Sequence, residues 1–181
     1  MKKYFIKTFG CQMNENDSEI LAGILESKGY SLALDVKDAD VVLTNTCSVR
    51  DGAERKANGF IYYLNKLKKE KKDLIIGVVG CMAERMGQEI LIKFKFVDFV
   101  LGPREESKLE GILKTLTPVS TSSTSPLPEG EGEPRVYRGV GEGITRMKRK
   151  PQTNAWITIM EGCDNYCSYC IVPYVRGREK S

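Results

Sequence analysis

Over the first 116 residues, short β-branched apolar runs alternate with segments whose apolar positions recur at helical spacing. Tyr4-Phe5-Ile6-Lys7-Thr8 predicts a strand. After it, Ile20, Leu21, Ile24 and Leu25 mark one face of a helix, with Asn16 and Glu19 placed as an N-terminal cap pair and Gly29 as a stop. Val41-Val42-Leu43-Thr44-Asn45 predicts a second strand, and residues 31–34 a short one before it. Ala57, Phe60, Ile61, Leu64 and Leu67 line one face of a further helix, whose other face carries Lys66, Lys68, Lys69, Lys71 and Lys72. Leu74-Ile75-Ile76-Gly77-Val78-Val79 is apolar throughout, as a strand covered on both faces must be. A helix over about residues 84–94, a short strand near 99–101 and a helix over 105–116 complete the series. Strands and helices in this alternation predict an α/β fold, an open parallel sheet with flanking helices.

The pattern stops at residue 117. Residues 117–134 are rich in Ser, Thr, Pro, Gly and Glu and hold almost no apolar surface, so ordering them would cost entropy without return. They are expected to form a flexible linker between a domain at 1–116 and a second piece at 135–181. In that piece, residues 135–150 are basic and loosely β-like. Residues 154–160 predict a new strand leading into a cysteine-rich loop. A (β/α) barrel needs on the order of 250 residues, so the second piece is expected to be a truncated beginning of one. The chain reads as the front end of a longer protein.

Composition narrows the chemistry. The 181 residues include six cysteines and no histidine. That removes mixed Cys/His zinc sites, Ser-His and Cys-His nucleophilic pairs and imidazole acid-base catalysis. The N-terminus enters a strand directly, without the apolar core of a signal peptide, and no run approaches the ~20 apolar residues of a membrane span. Unpaired cysteines in such a chain point to a reducing, cytoplasmic setting with no membrane partner. The net charge of +4 is uneven. Residues 1–116 carry 19 basic and 17 acidic side chains, whereas residues 135–181 carry nine and four. A basic C-terminal piece suits a polyanionic partner, and equally a solvated face.

The cysteines fall into two sets of three. Cys163, Cys167 and Cys170 are spaced Cys-x3-Cys-x2-Cys on one short loop. Three thiolates at that spacing can hold three irons of a 4Fe-4S cluster and leave the fourth open to a ligand. Cys11, Cys47 and Cys81 each follow a predicted strand and precede a predicted helix. In a parallel sheet those ends share one edge, so residues 36 and 34 positions apart can meet there. Any one of the three reads as a small buried hydrophobe. All three at equivalent ends read as a shared metal or cluster site. Tyr166 and Tyr169 read either as a shield for the C-terminal loop or as packing, and residues 175–180 either as a phosphate-contacting arm or as an exposed turn.

The loop Gly162-Cys163-Asp164-Asn165-Tyr166-Cys167-Ser168-Tyr169-Cys170 resembles the signature of radical S-adenosylmethionine (SAM) enzymes. Thr8-Phe9-Gly10-Cys11-Gln12-Met13-Asn14, Asn45-Thr46-Cys47-Ser48-Val49-Arg50 and Gly80-Cys81-Met82-Ala83 resemble the three cysteine boxes of the methylthiotransferase family. Within that family, Gln12-Met13-Asn14 is most similar to the branch that modifies isopentenyl-adenosine in tRNA. The resemblance implies two 4Fe-4S clusters, an auxiliary one on Cys11, Cys47 and Cys81 and a SAM-binding one on Cys163, Cys167 and Cys170. It implies methylthiolation of carbon 2 of N6-isopentenyladenosine at adenosine 37, through a 5'-deoxyadenosyl radical from SAM and sulfur methylated by a second SAM. No side-chain acid or base is singled out as catalytic. The implied partners are a tRNA anticodon stem-loop and an electron donor, with the protein a monomer.

Three other readings stay open at this stage: a metal-binding RNA-recognition module without catalysis, a methylthiotransferase of another branch, and a ferredoxin-like electron carrier. The carrier is disfavoured because its irons would all be capped by cysteine. With one barrel strand in hand, the chain alone is expected to be inactive.

Overall fold

The structure, a computed structural model, describes residues 1–49, 51–116, 135–137, 148 and 156–181, with the backbone alone at 51 and 135–137. The predicted linker at 117–134 lies outside the described residues, as do most of 135–150 and the first residues of the predicted strand at 154–160.

Five parallel strands form the sheet: β1 (Lys3–Phe9), β2 (Ser31–Leu32), β3 (Val41–Thr46), β4 (Ile75–Gly80) and β5 (Phe99–Leu101), in the order β2-β1-β3-β4-β5. A three-residue strand, β6 (Arg135–Tyr137), extends the β5 edge in parallel. β3 and β4 are buried at every position. Their continuous apolarity follows from side chains that alternate between two covered faces. Val42, Ile76 and Val78 pack on one side with Ile61, Leu64 and Phe94. Leu43, Ile75 and Val79 pack on the other with Leu21, Leu25, Leu109 and Leu113.

Helix α1 (Gln12–Ser27) ends as predicted, with Gly29 at φ 81° and the Tyr30 N–H donating to Leu25 O at 3.1 Å. Its start differs from the prediction. The helix begins at Gln12 with Cys11 as N-cap, and Asn16 is buried within it, so Asn16 and Glu19 are not the cap pair. Cys11 and Asn14 form the reciprocal capping box instead, the Cys11 N–H donating to Asn14 Oδ1 at 3.2 Å.

Helix α2 (Asp51–Glu70) buries Ala57, Ile61, Leu64 and Leu67 as its periodicity predicts. Its lysine face is only partly solvated. Lys68 reaches back to the Asp98 carboxylate at 2.8 Å, and Lys71, just past the helix, reaches Asp40 at 2.6 Å. The single helix expected at 84–94 is two, α3 (Cys81–Met86) and α4 (Gln88–Lys93), because Gly87 at φ 42° turns the chain between them. A 3-10 turn at Glu106–Lys108 leads into α5 (Leu109–Leu116).

Beyond residue 155 the structure corrects the prediction of a strand. Residues 156–160 pair with no strand among the described residues, and Ile157 and Ile159 are 75% and 84% exposed. A strand is stable only against a partner, and this segment is seated on neither outer strand of the sheet, β2 or β6. The cysteine loop is held otherwise: a lone antiparallel bridge joins Glu161 to Lys180, and a short helix, α6 (Val172–Arg176), packs on α3.

Candidate metal centre

Register decides where the first cysteine set lies. Phe9 pairs with Thr46, and Thr46 with Gly80, so β1, β3 and β4 end level with one another. Cys11 caps α1, Cys47 follows β3 directly and Cys81 opens α3. All three therefore stand at the carboxyl edge. In a sheet of order 2-1-3-4-5 that edge is the ligand-binding one, and its switch point falls between β1 and β3. Cys11 and Cys47 flank that point.

A network of buried amides holds the edge level. Asn14 donates through Nδ2 to Asn45 Oδ1 at 3.0 Å and to Thr46 O at 3.2 Å. Asn45 returns a bond to Asn14 O at 2.8 Å and another to Ser18 Oγ at 2.9 Å. Thr46 Oγ1 donates to Val79 O at 2.6 Å. The start of α1, the end of β3 and the end of β4 are thus one hydrogen-bonded unit, and none of these polar groups is left unpaired in the interior.

The thiols are unequal. Hydrogen bonding from Cys47 draws the Cys11 thiol down to about 5, against the cost of burial and with help from the N–H groups of Asn14 and Met13 at the start of α1. Cys47 is pushed up by the same bond and by burial, although the Val49 N–H donates to its sulfur at 3.3 Å. Burial pushes Cys81 up, opposed by Arg176. Among the described residues no three Cys, Asp or Glu side chains are already gathered as ligands of a metal ion.

The second set is more open. Cys167 is exposed, and Cys163 and Cys170 are half-buried. The Cys170 N–H donates to Cys167 O at 3.0 Å, which closes a tight turn, and the Cys163 N–H donates to Gly177 O at 3.1 Å. Tyr166 meets Tyr174 edge-on at 5.9 Å, and Tyr169 is 90% exposed. The stretch 175–180 is not an exposed turn throughout. Arg178 is exposed, but Arg176 is buried, with Nη2 at 2.5 Å from Asp17 Oδ2 and Nη1 at 3.3 Å from Asp17 Oδ1. Its positive charge also opposes the rise that burial causes in the Cys81 thiol. Burial opposes its charge, but attraction to Asp17 outweighs that and holds the guanidinium firmly protonated. Burial pushes the Asp17 carboxyl up, against the pull of Arg176, and pushes nearby Glu106 up to about 7.

The fold thus gathers Cys11, Cys47 and Cys81 at one edge and seats the second loop beside it. A cleft of about 480 Å³ opens beside them, lined by Ser48, by Glu54, Arg55 and Asn58 of α2, by Arg85 of α3 and by Ile171. Ser48 follows Cys47 and Ile171 follows Cys170, so the cleft adjoins both sets. Sequence reasoning missed Asp17, Arg176, Asn14, Asn45 and Glu106 as site residues. Asn14 and Asn45 stood inside the quoted cysteine boxes and Arg176 inside the singled-out stretch 175–180; nothing local marks Asp17 or Glu106.

The fold is a doubly wound α/β domain of the open parallel-sheet class with a cysteine at each of three level strand ends. The chain belongs to the family described as uncharacterized protein family UPF0004, which it matches over residues 3–102. It is similar along its length to proteins named tRNA-2-methylthio-N(6)-dimethylallyladenosine synthase. The one from Dictyoglomus thermophilum is 47% identical over 184 residues, taking in 100% of this chain and 39% of the relative. That from Carboxydothermus hydrogenoformans is 44% identical, over 99% of this chain and 40% of the relative. That from Bacillus anthracis is 42% identical, over 99% and 34%. The chain therefore spans between about a third and two-fifths of the length of these relatives. Among the described residues no helix is long and apolar enough to cross a membrane.

Proposed function

We propose that this chain is the cluster-bearing N-terminal part of a tRNA methylthiotransferase acting on carbon 2 of N6-isopentenyladenosine at position 37, next to the anticodon. The observation that carries the reading is the convergence of Cys11, Cys47 and Cys81 on one sheet edge with the Cys163–Cys167–Cys170 loop seated beside it. Identity to the synthases covers both sets.

The residues fit iron-sulfur clusters by their chemistry. Each set offers three thiols and no histidine, and Cys11 accepts backbone N–H groups that would offset a thiolate's charge. Cys11, Cys47 and Cys81 would hold one 4Fe-4S cluster, and Cys163, Cys167 and Cys170 another that binds SAM. The bound cofactors would supply radical chemistry and the sulfur and methyl groups. The protein's own residues do the rest. The Asn14–Asn45 network keeps the first set level, and the 167–170 turn presents the second. The cleft beside them, with Arg55 and Arg85, suits a nucleotide splayed from the anticodon loop. An electron donor completes the reaction in a cytoplasmic, monomeric enzyme. Because Cys167 is open to water, and radical chemistry needs a dry chamber, the chain alone gives no product.

The test is anaerobic reconstitution of the chain followed by iron, sulfide and zinc counts. Two clusters are expected, with one lost when Cys47→Ala is introduced and the other when Cys167→Ala is. Stoichiometric zinc in place of iron would favour a binding module and overturn the reading.

A further inference from the structure

The C-terminal segment is attached to the sheet domain by two arginines pointing in opposite directions. Arg176, on α6, reaches into the domain and sets both terminal nitrogens against Asp17 of α1, a partner 159 residues away. Both side chains of this pair are almost fully buried, at 6% and 4% exposure. Arg104, in the loop after β5, reaches out. Its Nη2 donates to Arg178 O at 2.9 Å, and its Nε lies 3.4 Å from the Glu161 carboxylate. Arg104 adopts φ 71°, unusual for a residue with a side chain. Between these anchors the segment closes on itself. Glu161 and Lys180 exchange both backbone bonds at 2.8 and 2.9 Å, and the Cys163 N–H is taken by Gly177 O.

We propose that Arg176 is a positioning residue. It pins the closed loop 161–180 onto the carboxyl edge of the sheet, and so fixes the second cysteine set relative to the first and keeps α6 packed over α3, the helix that Cys81 opens. Three physical points support this. A buried guanidinium is stable only where its donors are taken up, and here both carboxylate oxygens of Asp17 take them. The fork geometry fixes orientation as well as distance, which a lysine cannot do. The apolar attachment is thin, since Pro173 and Val175 are buried but Ile157, Ile159 and Tyr174 are largely exposed. The position of the loop therefore rests on the ion pair rather than on a hydrophobic seam.

The test uses the metal-free, reduced chain, so its outcome does not depend on the cluster reading. Hydrogen exchange is followed at the amides of Glu161, Cys163 and Lys180, and alkylation of Cys81 by mass spectrometry. Arg176→Met is expected to raise exchange at those amides at least tenfold and Cys81 alkylation at least fivefold, with the amides of β3 and β4 unchanged. Arg176→Lys, which keeps charge but not shape, is expected to recover part of the exchange protection. Asp17→Asn is expected to match Arg176→Met, and the double variant to be no worse than either. If Arg176→Met loses the fold by circular dichroism, Asp17→Asn alone carries the same reading. Exchange within twofold of the parent in Asp17→Asn, unchanged Cys81 alkylation, full protection by methionine but not lysine, or additive losses in the double variant would each overturn the proposal.

Discussion

Gly80 is the point at which the sheet edge is most sensitive to a single methyl group. It is the last residue of β4, directly before Cys81, and sits at φ 91°, ψ −162°. This is a region of backbone space essentially reserved for glycine, and a side chain there costs about 1–3 kcal/mol. A Cβ at this position would also stand 2.5 Å from Thr46 O and 2.5 Å from Asn45 Oδ1. Neither neighbour is a free end: one is the backbone of β3, and the other accepts the Asn14 bond. Relieving the overlap means moving strand β3 or breaking the amide network, about 1–3 kcal/mol more. Gly80→Ala is therefore expected to destabilise the domain by about 4 kcal/mol, a large share of the roughly 5–15 kcal/mol that holds a domain folded. With a urea slope of about 2 kcal/mol per molar, the unfolding midpoint followed by far-UV circular dichroism should fall by about 2 M. Gly111→Ala is the control, since a Cβ there meets nothing and the site is helical. It should be neutral or stabilising by up to about 1 kcal/mol. A loss below about 1 kcal/mol in Gly80→Ala, or a similar loss in Gly111→Ala, would refute the argument from this turn.

Two further outcomes follow from buried charge. Glu106 ionises at about 7 when folded, against 4.5 as the ordinary value, so the folded chain keeps a proton that the unfolded chain has already lost. Its contribution is present in full below pH 4.5, declines as pH rises from 4.5 to 7 and stays lost above that. Glu106→Gln should thus gain up to about 3 kcal/mol on the parent at pH 8 and almost nothing at pH 4.5; urea titrations showing an equal difference at both would contradict it. Asp98 accepts from the Ile76 N–H at 2.7 Å and holds Lys68. Asp98→Ala strands the Ile76 N–H and leaves Lys68 with only the Leu74 carbonyl, and should cost about 2–3 kcal/mol in the same assay, a loss under about 0.5 kcal/mol showing that water replaces the carboxylate.

The strands and the placement of the first cysteine set were legible because their signals are local. A run such as Val41–Thr46 carries its own period, and a cysteine directly after such a run inherits a place at the sheet edge. The start of α1 was misread because Asn16 and Glu19 match the usual cap chemistry, whereas the cap in place uses a sulfur and an asparagine. The break at Gly87 was hidden because Ala83 and Met86 before the glycine and Ile90 and Phe94 after it keep one helical spacing. Asp17 and Arg176 could not be paired from sequence. Each is an ordinary charged residue in its own segment, and only the fold makes them neighbours. The apolar run at 156–160 has strand composition, but composition specifies a strand only where an edge is available to receive it.

The level ends of β1, β3 and β4 also carry a timetable. Cys11, Cys47 and Cys81 lie within the first 81 residues made, and Cys163 follows 82 positions after Cys81. At roughly 5–20 residues per second, a ribosome needs about 4–16 s to cross that gap. The first set can be brought together by its sheet while the second does not yet exist. Arg176 is made later still, so it can reach Asp17 only after the residues of the edge it docks on have been synthesised.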